Sequence, residues 1–216
     1  MNGNNSGSFS NKHQQRRKSK PCDERLLAAF ERIIPAESTV VDMGAGTGRY
    51  VRALRERGFR AVGIDGTPGV FDLSDGLVRE VDLSVPVCFG DAADWAISIE
   101  VGEHIPPDGV RAYVGNLCNA ARHGMIVSWA IPGQRGRGHV SCRPPSWVIR
   151  AVTRRPEWYW DVDATTIARE IAGGGWRKKL LIFRHKEAEN VEMDSTFVEE
   201  IPTDPERPER RPVIVC

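Results

Sequence analysis

The sequence predicts an α/β fold, a doubly wound and mostly parallel sheet whose last strand runs antiparallel. Three observations predict it. Short apolar runs recur along the chain, each followed by a stretch with helical apolar spacing, which is the pattern of strand–helix units joined by right-handed crossovers. The first unit turns through Asp42-Met43-Gly44-Ala45-Gly46-Thr47-Gly48, where glycines let bare backbone approach a ligand. Later apolar runs end in acids at Asp65, Asp82 and Glu100, so the C-terminal edge of the sheet collects the chemistry.

The chain has 216 residues, enough for one domain with a sizeable core and two tails. Residues 1–20 are polar and basic and read as a disordered tail, residues 21–186 as the folded domain, and residues 187–216 as an acidic, Pro-containing tail. A net charge of +1 argues against a broad nucleic-acid surface. Arg16-Arg17-Lys18-Ser19-Lys20 leaves a nuclear address or a weak polyanion contact open. No apolar run reaches the ~18 residues of a membrane span, and no secretory h-region precedes the domain. The five cysteines are odd in number, scattered, and without C-x-x-C, so a reducing, cytoplasmic setting is expected rather than a disulfide frame or zinc ribbon.

Asp23 caps a first helix to about Ile34, with Leu26, Leu27, Phe30, Ile33 and Ile34 on one face. Val40 and Val41 end the first strand, and the helix after the glycine turn runs to about Arg57 with Gly58 as its stop. Phe59 to Ile64 is a second strand, Gly76 to Leu83 a third, and Trp95 to Val101 a fourth. A helix then extends to about His123 on the core face of Val110, Tyr113, Val114, Leu117 and Ala121, and Gly124 to Ala130 is the fifth strand. Residues 131–145 form a Gly-, Arg- and Pro-rich loop leaving the same sheet edge, placed as a lid or pocket wall. A short helix from Ser146, a strand at Trp158 to Asp161, a helix at Ala164 to Ala172 and a final antiparallel strand at Lys179 to His185 complete the domain.

The even glycine spacing rules out the dinucleotide fingerprint G-x-G-x-x-G, and no G-x-x-x-x-G-K-[ST] is present. The run D-x-G-x-G-x-G after an apolar strand instead resembles motif I of class I S-adenosylmethionine (SAM) methyltransferases. The resemblance covers about residues 23–186. It implies their Rossmann-like sheet, SAM as cofactor, and cofactor contacts at Asp42, Gly44, Ala45, Gly46, Gly48, Asp65, Gly66, Asp82, Leu83 and Glu100. Asp65 lies about 20 residues past the glycine turn, where a carboxylate can accept both ribose hydroxyls, although capping its own loop is an alternative. Asp82 is matched to the adenine amino group, with Asp91 as a rival, and Leu83 to packing on the ring.

Methyl transfer needs a bound donor, an aligned acceptor and, for a hydroxyl, somewhere to place its proton. The candidate catalytic residues are Glu100, His104 and His139. Glu100, Glu103 and His104 form E-x-x-E-H, similar to an element of ubiquinone-pathway O-methyltransferases that is associated with a divalent cation. No metal is committed: Glu100, Glu103 and His104 are the residues that would hold one, ranked behind His104 as a general base. A helix-start role for Glu103 and His104 is the plain alternative. Ser128-Trp129-Ala130-Ile131-Pro132-Gly133-Gln134 with Gly138-His139-Val140 resembles S-W-A-x-P-G-Q and G-H-V-N of poorly characterised methyltransferases, and Ser141 replaces the usual Asn. Arg135, Arg137 and Arg143 offer anion contacts, and Trp129, Trp147, Trp158 and Trp160 an aromatic wall, with core packing expected for at least half of the latter. The expected acceptor is a hydroxyl of a small molecule or glycan, with no nucleic acid and no membrane. The rivals are a SAM-binding sensor or partner protein without turnover, and a protein or RNA methyltransferase guided by the basic arm.

Overall fold

The computed structural model describes residues 21–187, and the readings of the basic arm and the acidic tail lie outside them. Seven strands form one sheet: β1 (Thr39–Met43), β2 (Arg60–Asp65), β3 (Val78–Glu80), β4 (Ala93–Ile99), β5 (Ala121–Ser128), β6 (Trp158–Trp160) and β7 (Leu180–His185). Their order across the sheet is β3-β2-β1-β4-β5-β7-β6. All neighbours from β3 to β5 are parallel, and β7 runs antiparallel between β5 and β6.

The helices are α1 (Glu24–Ile33), α2 (Arg49–Glu56), α3 (Val70–Leu73), α4 (Val110–Ala120), α5 (Pro145–Val152) and α6 (Val162–Ala172). Successive side chains of a strand point to opposite faces, so β4 feeds two cores at once. Trp95 and Ile97 face Phe30 of α1, Leu54 of α2 and Ala168 of α6. Ala96 faces the other way, with Met43, Met125 and Phe183, towards Tyr113 and Leu117 of α4 and Val148 of α5. Asp23 caps α1 by accepting from the amides of Arg25 and Leu26, and its second oxygen takes the Trp176 indole N–H at 2.8 Å. Asp161 caps α6 in the same way, through the amide of Ala164. Among the described residues, no helix is long and apolar enough to cross a membrane.

The expected elements are present with shifted ends. β4 stops at Ile99 rather than Val101 because Glu100 adopts φ 57, a left-handed conformation that no strand continues through. β5 begins at Ala121 rather than Gly124: α4 ends at Ala120, and Ala121 already pairs with Ala93 across an irregularity in the β4–β5 ladder. β3 is only three residues long, so Asp82 and Leu83 lie just beyond it. The one-turn helix α3 was not anticipated, having too few residues for an apolar period to show.

Candidate active site

The glycine turn joins β1 to α2 with positive φ at Gly44, Gly46 and Gly48. Gly44 has φ 87, and a Cβ there would run into the side chain of Val101. The amides of Gly44 and Ala45 both donate to the Ile64 carbonyl, at 2.8 and 3.0 Å, which folds the turn over the end of β2. Asp65, the last residue of β2, accepts from the Gly46 amide on one oxygen and the Thr67 amide on the other, each at 2.8 Å. It therefore braces the turn, and a carboxylate has roughly four lone-pair positions, so two remain for a ligand. The Val81 amide donates to the Asp65 carbonyl at 3.0 Å, bringing the chain beyond β3 alongside Gly66. A Cβ on Gly66 would meet the Val81 carbonyl at 3.5 Å and Asp82 Cα at 3.9 Å. Asp65, Gly66 and Asp82 thus converge at one strand edge. Asp82 itself accepts from the amide and hydroxyl of Ser84, and Leu83 is buried with its carbonyl held by Asn116. Asp91 precedes β4 and so falls at the opposite, N-terminal edge.

A crevice opens over this turn, lined by Asp42, Gly44, Gly46, Thr47, Arg49 and Tyr50 among others. Asp42 is 3% exposed and its Oδ2 has no hydrogen-bond partner. Burial, then the charge of Asp65, pushes its carboxyl up to about 7, with Arg49 pulling the other way. The buried hydroxyl of Thr47 is also without a partner.

The second part of the site lies past β4 and β5. The Glu100 carboxylate accepts from the Ser128 hydroxyl at 2.9 Å, from Gln134 Nε2 at 3.0 Å and from Lys179 Nζ. Glu100 thereby fastens the loop after β5 to the start of β7, and Lys179 also lies over the Trp176 ring. A single 3-10 turn, Gly102–His104, follows. Gly102 is required there because any Cβ would overlap the Trp129 ring. Glu103 is fully buried and neither carboxylate oxygen has a hydrogen-bond partner. Burial, then the charge of Glu100, pushes the carboxyl up to about 7, with the backbone amides of Glu103 and Ala130 and the Lys179 charge pulling the other way.

The loop between β5 and α5 lies across this turn. The amides of Val140 and Ser141 donate to the Glu103 carbonyl at 2.8 and 3.0 Å, and Trp129 donates its indole N–H to the Ser141 carbonyl at 2.7 Å. His104 Nδ1 lies 3.0 Å from the Gly138 carbonyl, and His139 Nδ1 lies 3.1 Å from the Gln134 carbonyl. His139 Nε2 is 4.0 Å from Glu103 Oε1, and the two imidazoles meet edge to face with centroids 5.0 Å apart. Cys142 Sγ sits 3.7 Å from His139 Nδ1. Farther along, the Arg143 guanidinium covers Trp147, while Ser141 Oγ and Arg143 Nε are buried without partners.

The structure brings Glu103, His104 and His139 together, with donor atoms within 4.8 Å of one another. Glu100 is not part of that group: its carboxylate accepts from Ser128, Gln134 and Lys179, while its charge still acts on Glu103. Trp129 and Trp158 are buried in the core, whereas Trp147 and Trp160 are only partly buried. Sequence reasoning missed Ser128, Gln134 and Lys179 as the partners of Glu100. It also missed Asn116, whose amide oxygen accepts from the Val87 amide and whose nitrogen donates to the carbonyls of Leu83 and Val85. Ser128 and Gln134 fall within the S-W-A-x-P-G-Q element, but nothing in their local pattern points to Glu100, and nothing local marks Lys179 or Asn116.

The family model described as a methyltransferase domain matches residues 12–171. No curated protein matches the sequence. Among solved structures, the fold is similar to a chain of the complex between the Trm112 methyltransferase activator of Haloferax volcanii and a methyltransferase. That match has 14% identity and TM-score 0.57, over 82% of this chain and 93% of the other. A TehB-like SAM-dependent methyltransferase from Corynebacterium glutamicum matches with 18% identity and TM-score 0.56, over 82% and 96%. The magnesium protoporphyrin IX methyltransferase of Synechocystis PCC 6803, solved with bound SAH, matches with 17% identity and TM-score 0.53, over 80% and 83%. With most of its length matched by that family, the chain belongs to the methyltransferase-domain family, and its fold is similar to that of SAM-dependent methyltransferases.

Proposed function

We propose that this enzyme transfers the methyl group of SAM to a hydroxyl of a small molecule or glycan, whose proton is handled by the Glu103, His104 and His139 cluster. The observation that supports this most is the buried Glu103 carboxylate, without a hydrogen-bond partner and 4.0 Å from His139. An oxygen acceptor must be deprotonated as it attacks, so a site for it needs a group that receives positive charge or a proton. The cluster is also close to the donor turn, because Val101, two residues before Glu103, packs against Gly44.

The donor is activated by its own sulfonium charge, and displacement at its methyl carbon needs alignment more than covalent help. Gly44, Ala45 and Gly46 would present backbone to it, and the unpartnered Asp42 Oδ2 and Thr47 Oγ1, on residues that line the same crevice, suit a donor that carries positive charge. Asp65 and Asp82 would take the ribose and adenine ends. Glu100 serves here to position the loop, holding Gln134 and Lys179 rather than the acceptor.

Calorimetry should detect SAM at micromolar strength, and Asp65→Ala should weaken it by about 1–3 kcal/mol, since both the ribose partner and the brace on Gly46 are lost. Turnover across a panel of hydroxyl acceptors should then be lost in His104→Ala and His139→Ala while SAM affinity stays unchanged. Full turnover in both variants would remove the cluster from the chemistry.

A further inference from the structure

We propose that the guanidinium of Arg143, laid over the Trp147 ring, holds an anionic group of the acceptor, a carboxylate or a phosphate, so that the molecule methylated is an anionic hydroxy compound rather than a neutral alcohol. The acceptor role rests on the proposed function; the binding of the anion does not.

The hydrogen bonds of Arg143 leave one edge of the guanidinium unoccupied. Nη1 makes a long bond, 3.4 Å, to the Cys142 carbonyl. Nε is buried without a partner, and among the described residues none accepts from Nη2 or closes an ion pair with the charge. Nε and Nη2 form the side-on fork of arginine, two parallel N–H donors whose spacing matches two oxygens of a carboxylate or phosphate. The Trp147 ring centre lies 5.1 Å from the guanidinium carbon, and this contact holds the fork in place. Covering that ring accounts for the stacking but not for the unpaired N–H, since a buried donor is normally satisfied. Ser141, two residues earlier and 1% exposed, keeps a second unpartnered group, its hydroxyl.

Charge in this part of the chain points the same way. Residues 124–156 contain six arginines and no aspartate or glutamate, in a chain whose 29 acids otherwise nearly balance its 30 lysines and arginines. Arginines elsewhere close ion pairs, as Arg52 does with Asp75, Arg122 with Asp94 and Arg184 with Asp161. Arg135 and Arg137, exposed on the same loop as Arg143, make none among the described residues. Unpaired cations around a fork raise the local concentration of anions and steer them towards it.

Position ties the fork to the reacting end of the site. The amides of Ser141 and Arg143 donate to the carbonyls of Glu103 and Ala130, each at 3.0 Å. Trp147 meets Trp129 edge to face at 5.7 Å, and the Trp129 ring lies against Gly102, next to Glu103. Arg143 therefore borders the proton-handling cluster, and a small molecule reaching both places carries its hydroxyl at one end and its anion at the other.

The test follows the Arg143 Nε–H resonance of the isotope-labelled full chain, saturated with SAH, while benzoate, inorganic phosphate or neutral benzamide is added at constant ionic strength. Benzoate or phosphate should shift that resonance and the Trp147 indole saturably, the first pointing to a carboxylate on the acceptor and the second to a phosphate. Arg143→Gln should weaken calorimetric binding of the same anion at least about 10-fold and Arg143→Lys about threefold, because lysine keeps the charge but not the fork. SAM affinity, measured in parallel, shows that each variant is folded. An Arg143 resonance indifferent to both anions, binding undiminished in Arg143→Gln, or an equal response to benzamide overturns the proposal. Among hydroxyl acceptors paired by the presence or absence of an anionic group, KM for the anionic member should rise at least about 10-fold in Arg143→Gln with kcat within about twofold. Equal efficiency for both members in the unaltered chain overturns the acceptor assignment. Anion binding without methyl transfer to any hydroxyl would count against the proposed function and leave the subsite standing.

Discussion

The donor and acceptor halves of the crevice are built by different means. On the donor side, polar groups find partners nearby in the chain or across one strand: Asp65 braces Thr67 and Gly46, and Asp82 braces Ser84. On the acceptor side, the partners are far apart in sequence, with Glu100 bound to Lys179 and His104 to Gly138. The halves also differ in their demand on the backbone. The donor turn satisfies positive φ with glycine, whereas the acceptor side puts Glu100 at φ 57, a conformation that costs a residue with a side chain roughly 1 kcal/mol or more. A ligand shared by a whole family can be met by a short, local backbone device, while the variable partner is met by side chains that tertiary packing brings together.

The most damaging way to break this arrangement is at the junction. Gly44→Ala should cost about 3–5 kcal/mol of stability in urea unfolding and abolish measurable SAM binding, because the new Cβ meets Val101 at a backbone angle that disfavours it. Val101→Ala combined with Gly44→Ala should recover part of the stability, since it removes the overlap but not the conformational strain. No recovery at all would mean that the contact between the halves is unimportant.

A smaller effect is expected from charge on the donor side. The Asp42 carboxyl rises from the ordinary 3.8 to about 7, through burial first and Asp65 second, against Arg49. The folded chain therefore holds a proton that the unfolded chain releases at lower pH. Its contribution to stability is present below about pH 4, falls as pH rises towards 7, and is level above that. Asp42→Asn should flatten the stability profile relative to the unaltered chain between pH 4 and 8, by about 2–4 kcal/mol. Parallel profiles for the two proteins would show that Asp42 ionises normally.

The same contrast explains how much the sequence reveals. The donor turn is legible because its need for glycine is local, and an acid at the end of the next strand is placed by the crossover itself. The sheet follows from apolar runs such as Trp95 to Ile99, whose alternation serves both cores. The acceptor side is only half legible. Glu100, Glu103, His104 and His139 stand out by residue type, yet their grouping depends on Glu100 leaving the strand conformation and on Gly136 and Gly138 curling the loop back. Neither event has a periodic signature. Lys179, read as the start of an ordinary edge strand, gave no sign of reaching Glu100.

Lys179→Met sharpens the comparison with the mildest change. The substitution keeps an apolar side chain of similar length and removes the ammonium from both Glu100 and the face of Trp176, while Glu100 retains Ser128 and Gln134. The pair is mostly buried, with Lys179 13% and Glu100 22% exposed, so the loss should exceed that of a surface ion pair and reach about 1–2 kcal/mol. Its local consequence is the informative one. With one of three tethers gone, Glu100 holds Gln134 less firmly, and amide exchange at Gln134 and His139 should quicken several-fold. The amides of Gly46 and Thr67, braced by Asp65 on the donor side, should exchange as before. Equal acceleration in both places would mean that the two halves open as one unit, and that their different construction has no counterpart in their motion.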